Sequence, residues 1–248
     1  MGRIVAALIG LAMLGLAIQH AAYAPPEPAR QGLPNIDYPT GPWLGETSPP
    51  ARQPGEAELA YALRLSRYVH ESSYHCRASE LPLSWIERGF AALARPVFAE
   101  GLLVRERFRC GLCSQRAGML DQLLHERGIA SDVLGVEGHV VVKVGDHIVD
   151  PDFNVGPFLY SDPDLYRSAA AVYSRIRGTA GFDYAAFLAS KGDNELYDRP
   201  YMEKMEGYQR TLFRLADVAA LLLAAVGLGL ILLVAVPRLR RTRRSARL

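Results

Sequence analysis

Apolar positions along the chain fall into three regimes, each predicting a different kind of element. The first is unbroken apolarity. From Ile4 to about Ala24 only Gln19 and His20 interrupt an apolar run, and from Val218 to Val236 nothing does. At 1.5 Å per residue the second run is long enough to cross a hydrocarbon layer of roughly 30 Å. The second regime is helical periodicity. Leu59, Ala62, Leu63, Leu65, Tyr68 and Val69 share one helical face. A further helix is predicted over Leu83 to Leu93, stopping before Pro96, and another from about Cys113 to Glu126. In the last of these Ala117, Leu120, Leu123 and Leu124 recur every three or four residues, and Gly128 supplies the stop. Helices are also expected around Leu165 to Ile176 and Tyr184 to Ser190, with Leu196 to Arg214 a helical lead into the second apolar run.

The third regime is short and rich in β-branched residues. Asp132 to Val136, His139 to Val144 and His147 to Val149 are separated by Gly138 and by the turn pair Gly145-Asp146, which predicts antiparallel strands. The fold class is therefore α+β, a helix packed on a small antiparallel sheet, flanked by transmembrane helices.

Proline and charge divide the chain further. Pro25, Pro26, Pro28, Pro34, Pro39, Pro42, Pro49, Pro50 and Pro54 make residues 25–55 an extended spacer, with Trp43 expected to pin it to the domain surface. The layout is then residues 1–24 as a signal sequence or N-terminal membrane anchor, a folded domain over 56–210, a transmembrane helix over 214–237 and a basic tail over 238–248. Ala22-Tyr23-Ala24 has the form of a cleavage site, but Pro25 follows it; cleaved and retained forms both stay open. The formal charge of +2 on 248 residues gives no reason to expect nucleic acid as a partner. The basic surplus sits in Arg238, Arg240, Arg241, Arg243, Arg244 and Arg247, which places the C-terminal tail in the cytoplasm; Arg3 puts the N-terminus on the same side. The domain between them is expected outside, in a periplasm-like compartment.

Cys113 is the residue with the clearest chemical promise. It sits where a loop turns into a helix, so the unpaired N–H groups and the helix dipole favour negative charge, and hence thiolate. The same N–H groups are placed to stabilise an oxyanion. His139 opens one strand and Asp150 ends the next, which makes them neighbours across a hairpin. An aspartate beside the imidazole would orient it and stabilise its protonated form. Asp152 competes with Asp150 for that place. His70, His75, His125 and His147 are expected at the surface or in supporting roles.

Gly111-Leu112-Cys113, then Ala117, Leu120, Leu124, Gly128-Ile129-Ala130, Val133 and Gly135, resemble the core motif of the transglutaminase-like superfamily. In that family a Gly-x-Cys opens a helix, a His begins a following strand, and an Asp-Pro closes the next. His139 and Asp150-Pro151 occur in that order. Tyr68-Val69 and Tyr74 resemble the helical preamble, so the likeness runs from about Ala57 to Asn154. Departures are Val141 where a tryptophan is frequent, Asp152 after Asp-Pro, and a very short loop between Gly135 and His139. The resemblance implies a papain-like fold, with Cys113 as nucleophile, His139 as general base and acid, and Asp150 as orienting carboxylate. It also implies attack on a protein or peptide amide through a thioester, by a protease, amidase or transamidating enzyme needing no metal or organic cofactor.

Three further readings use the same residues. With three cysteines in an oxidising compartment, a Cys76–Cys110 disulfide would leave Cys113 free. Cys110-Gly-Leu-Cys113 is also the spacing of a thiol-disulfide oxidoreductase. His75, Cys76, Cys110 and Cys113 have ligand types suited to zinc. A non-catalytic assembly protein of the cell envelope, binding a polypeptide or a membrane-embedded partner through this domain, is the alternative from another class.

Overall fold

The computed structural model describes residues 2–23, 48–75, 83–93, 110–136, 139–174, 184–190 and 195–245. They form helices α1 (Gly2–Ala21), α2 (Glu58–Ser72), α3 (Trp85–Leu93), α4 (Cys113–His125), α5 (Leu165–Tyr173), α6 (Tyr184–Ser190) and α7 (Arg199–Ser245). The strands are β1 (Tyr74–His75), β2 (Cys110–Gly111), β3 (Asp132–Val136), β4 (His139–Val144), β5 (His147–Asp150), β6 (Val155–Leu159) and β7 (Glu195–Tyr197). The fold is α+β and divides into two compact units.

The larger unit is built on a five-stranded antiparallel sheet of order β6-β5-β4-β3-β7. Its strands read as apolar runs because both faces are covered. Val133, Val142, Val144 and Val149 face one way, packing with Ala117, Leu120, Leu123 and Leu124 of α4 and with Tyr61, Ala62, Leu65 and Val69 of α2. Their neighbours Leu134, Val141 and Ile148, with Val136 and Phe158, face the other way against Leu165, Ala169 and Tyr173 of α5 and Ala185 and Leu188 of α6. The sheet thus lies between two helical layers, where the sequence predicted one. Helix α4 is the central one, buried continuously from Gln115 to Leu124. Burying each of its leucines contributes about 1.5–3 kcal/mol. It stops where Gly128 takes φ 72, a conformation glycine adopts without steric cost. The end of the proline-rich stretch is tied to α2: Tyr61 Oη donates to Pro50 O at 2.7 Å, and Arg64 donates to Ala51 O at 2.8 Å. Trp43, expected to make that tie, lies outside the described residues.

Two strands depart from the sequence reading. Leu196, assigned to a helical lead, belongs to β7, and the helix starts at Arg199 after Asp198 accepts from Tyr201 N at 3.0 Å. β6 was unrecognised because Gly156 and Pro157 break its pattern. Gly156 is required there: at φ 106, a Cβ would lie 2.6 Å from Ile148 O on the neighbouring strand. β1 and β2, two residues each, pair in parallel with Tyr74 opposite Cys110.

The second unit contains α1, α3 and α7 from Tyr208 onward. Residues 85–93 were expected in the folded domain; the structure groups them instead with the two apolar helices. Both α1 and α7 are long and apolar enough to cross a membrane. They meet at Gly10 and Gly227, where a Cβ on either residue would lie 2.7 Å from the other's carbonyl oxygen. Ala17 and Ala220, seven residues away on each helix, are also buried, a small-residue seam that lets two backbones approach closely. Near the end of α1 the side chains become polar. His20 hydrogen-bonds Ser84 Oγ at 2.8 Å through Nδ1 and Asp217 Oδ1 at 3.0 Å through Nε2. Gln19 accepts from Trp85 N at 3.1 Å. Ser84 in turn caps α3 reciprocally with Glu87.

Candidate active site

Cys113 is the first residue of α4, with partial solvent exposure and a free thiol. Leu112, in extended conformation, precedes the helix, and its N–H donates to the buried Gln115 Oε1 at 2.9 Å. This turns the chain into the helix without using the N–H groups of Cys113 and Ser114. The first helical bond is Arg116 N to Leu112 O at 3.0 Å, so those two groups precede the backbone ladder. An anion beside the Cys113 sulfur meets the positive end of the helix dipole.

His139 begins β4 and Asp150 ends β5, in a hairpin whose register pairs Val142 with Val149 and Val144 with His147. That register brings the two ends together. His139 Nε2 lies 2.7 Å from Asp150 Oδ2, both side chains being buried. With Nε2 committed to Asp150, Nδ1 is the nitrogen left to face Cys113, which also acts on the charge of the imidazole. His139 and Asp150 are thus in direct contact, and Cys113 lies near enough to influence the imidazole. Burial alone would lower the basicity of His139. The charge and hydrogen bond of Asp150 outweigh it, Cys113 adds to both, and the imidazole stays protonated well above its ordinary value of 6.5.

The carboxylate is fixed from several sides. Asp150 Oδ1 accepts from Asp152 N at 2.8 Å and Phe153 N at 3.2 Å. Oδ2 accepts from Tyr173 Oη at 2.8 Å as well as from the imidazole. Asp152 does not take the aspartate's place; its Oδ1 accepts from Arg116 at 2.7 Å in an ion pair buried on both sides. Arg116 also donates to Asp152 O and to the carbonyls of His70 and Ser73. His70 Nδ1 approaches Asp152 O at 3.0 Å, and burial together with Arg116 lowers its pKa to about 4. An aromatic wall closes the site, with Tyr184 4.7 Å and Phe153 5.1 Å from the imidazole, ring centre to ring centre.

Sequence reasoning missed Arg116, Tyr173, Tyr184 and Phe153. Arg116 lies three residues after Cys113 and reads as a solvent-facing charge, since a fully buried arginine is rare. Tyr173 extends the four-residue spacing of Leu165 and Ala169 and reads as core. His125 is engaged elsewhere, with Ser131 O at 2.9 Å and Asp121 at 3.3 Å. No cluster of three metal-ligating side chains occurs among the described residues. Cys76 and the side chains of His75 and Cys110, on which the disulfide, redox and zinc readings depend, lie outside the described residues.

Comparison with known proteins matches this chain to no family model, no curated protein and no solved structure.

Proposed function

We propose that this protein is a membrane-anchored thiol enzyme that transfers the acyl group of an amide through a Cys113 thioester. The observation that carries this reading is the buried 2.7 Å contact of His139 with Asp150, its imidazole pKa raised well above the ordinary value, beside a cysteine that opens a helix. A thiol that can yield its proton to such an imidazole is the activated form of a cysteine nucleophile.

Each step follows from that pair. The thiolate attacks the amide carbonyl carbon, and the resulting oxyanion is held by the N–H groups at the start of α4. The imidazolium gives its Nδ1 proton to the departing nitrogen, the C–N bond breaks, and a thioester to Cys113 remains. The neutral imidazole then takes a proton from water or from an incoming amine, which attacks the thioester and releases the thiolate. Water makes the protein a protease or amidase; an amine makes it a transamidase. Interior strands bearing His and Asp at their adjoining ends, beside a helix that opens with Cys, match the core expected of the transglutaminase-like domain its sequence resembles, and support that relation.

The second unit supports the anchoring. α1 and α7 are read as two membrane spans, with the basic tail cytoplasmic and the thiol domain outside. The Gly10–Gly227 approach and the ties of Gln19 and His20 support a retained α1, because cleavage after Ala24 would separate that helix from partners it already holds.

The test is to incubate the full chain in detergent with a set of peptide amides and hydroxylamine, which converts a thioester into a hydroxamate. Hydroxamate formation that disappears in Cys113→Ala supports the reading. Absence of both hydroxamate and an acylated Cys113 across the set would sink it and leave a binding role for the domain.

A further inference from the structure

We propose that Tyr173 is a positioning residue for the imidazole: its hydroxyl fixes Asp150 Oδ2 beside His139 and limits how tightly that oxygen holds the imidazolium. The inference rests on the Cys113–His139–Asp150 reading and deepens it.

Four donors surround the Asp150 carboxylate, and they are unequal. Oδ1 is held by two backbone N–H groups, which depend on the turn after β5 and on no particular side chain. Oδ2 is shared by His139 Nε2 at 2.7 Å and Tyr173 Oη at 2.8 Å. Two donors on one oxygen share its negative charge, and a hydrogen bond that stabilises the carboxylate lessens its pull on the imidazole proton. Tyr173 acts on the same atom as the imidazole, so it reaches the proton chemistry without touching the substrate.

The phenol is built to stay in place. Tyr173 ends α5 on the stripe formed with Leu165 and Ala169, and it is only 4 % exposed. Ring centre to ring centre, Phe158 and Tyr184 each lie 5.7 Å from it, and Phe153 meets it edge-on at 6.1 Å. Burial and the charge of Asp150 hold the phenol well above its usual pKa, so it remains a donor wherever the enzyme operates.

The titratable groups set against His139 are Cys113 from α4, Asp150 from β5, and Tyr184 from α6, with the apolar ring of Phe153 beside them. Asp152, which also faces the Tyr173 phenol, is paired with Arg116. Asp150 is thus the anion that sets the affinity of the imidazole for its proton. An imidazolium bound too tightly is a poor acid toward a leaving amine. By drawing on Oδ2, Tyr173 keeps the imidazolium able to give up its proton.

The experiment is a 15N titration of the histidine rings in the full chain in detergent, with His139 assigned by His139→Gln. Wild type is compared with Tyr173→Phe and with Phe158→Leu, which loosens the same packing and leaves the hydroxyl. Tyr173→Phe is expected to raise the His139 midpoint by roughly half a pH unit or more, while Phe158→Leu leaves it unmoved. A midpoint that stays or falls in folded Tyr173→Phe overturns the assignment, and so does an equal rise in Phe158→Leu. Iodoacetamide labelling of Cys113 in wild type separates the two claims. An unactivated thiol together with a raised midpoint in Tyr173→Phe removes the enzyme reading and keeps Tyr173's hold on the His139–Asp150 pair.

Discussion

Arg116, one turn into the helix that Cys113 opens, forms a fully buried 2.7 Å ion pair with Asp152, two residues past Asp150. The helix that Cys113 opens is thereby bolted to the turn that follows Asp150. A buried pair of this kind contributes little net stability compared with an apolar pair, but losing one partner leaves the other charged and unpaired.

Arg116→Met is therefore expected to destabilise the α+β unit by about 3–5 kcal/mol. Adding Asp152→Asn should recover part of that loss. Chemical denaturation of the single and double variants checks both, and equal losses in the two would show that the charge pairing is not the cause.

Asp150→Asn keeps the shape of the side chain and removes its charge. The imidazolium then loses its partner, and amide turnover should fall by a factor on the order of 10² to 10⁴. Steady-state rates, with Cys113→Ala as the zero, measure the loss.

Two histidines give stability opposite pH dependences. His139 titrates higher folded than unfolded, so its contribution is complete below about 6.5 and is lost as pH rises through the folded value. His70 titrates near 4 folded, so its neutral form favours folding above 6.5 and stability declines as pH falls from 6.5 toward 4. Melting temperatures across pH should therefore fall on both sides of a maximum. His70→Gln is expected to flatten the acid side alone, and His139→Gln the alkaline side.

Gly227→Leu should disrupt the pairing of α1 with α7, because the first side-chain carbon already meets Gly10 O. Gly229→Leu is the control, since nothing lies within 4 Å of a Cβ there. A lower melting temperature in detergent for the first variant only is the expected result.

Much of this was legible in the sequence because the relevant signals are local. Periodicity marked α2 and α4, Gly145-Asp146 marked the β4–β5 turn, and hairpin geometry alone made neighbours of His139 and Asp150. Supporting contacts were not legible, since they depend on which layers meet. Arg116 looks like a surface charge until β5's turn closes over it. Tyr173 looks like core until α5 covers the far face of the sheet, a layer the sequence reading did not anticipate. β7 was hidden because three edge residues directly before a long helix share its apolar pattern.

The most direct test is the reactivity of Cys113 itself. The full chain in detergent would be treated with iodoacetamide from about pH 5 to about pH 9, with the adduct located by mass spectrometry and His139→Ala run in parallel. Rapid labelling of Cys113 at mildly acidic pH, slowed by the histidine substitution, is the result expected of an imidazole-activated thiol. A Cys113 that reacts no faster than an ordinary thiol, or equally fast without His139, would contradict that activation.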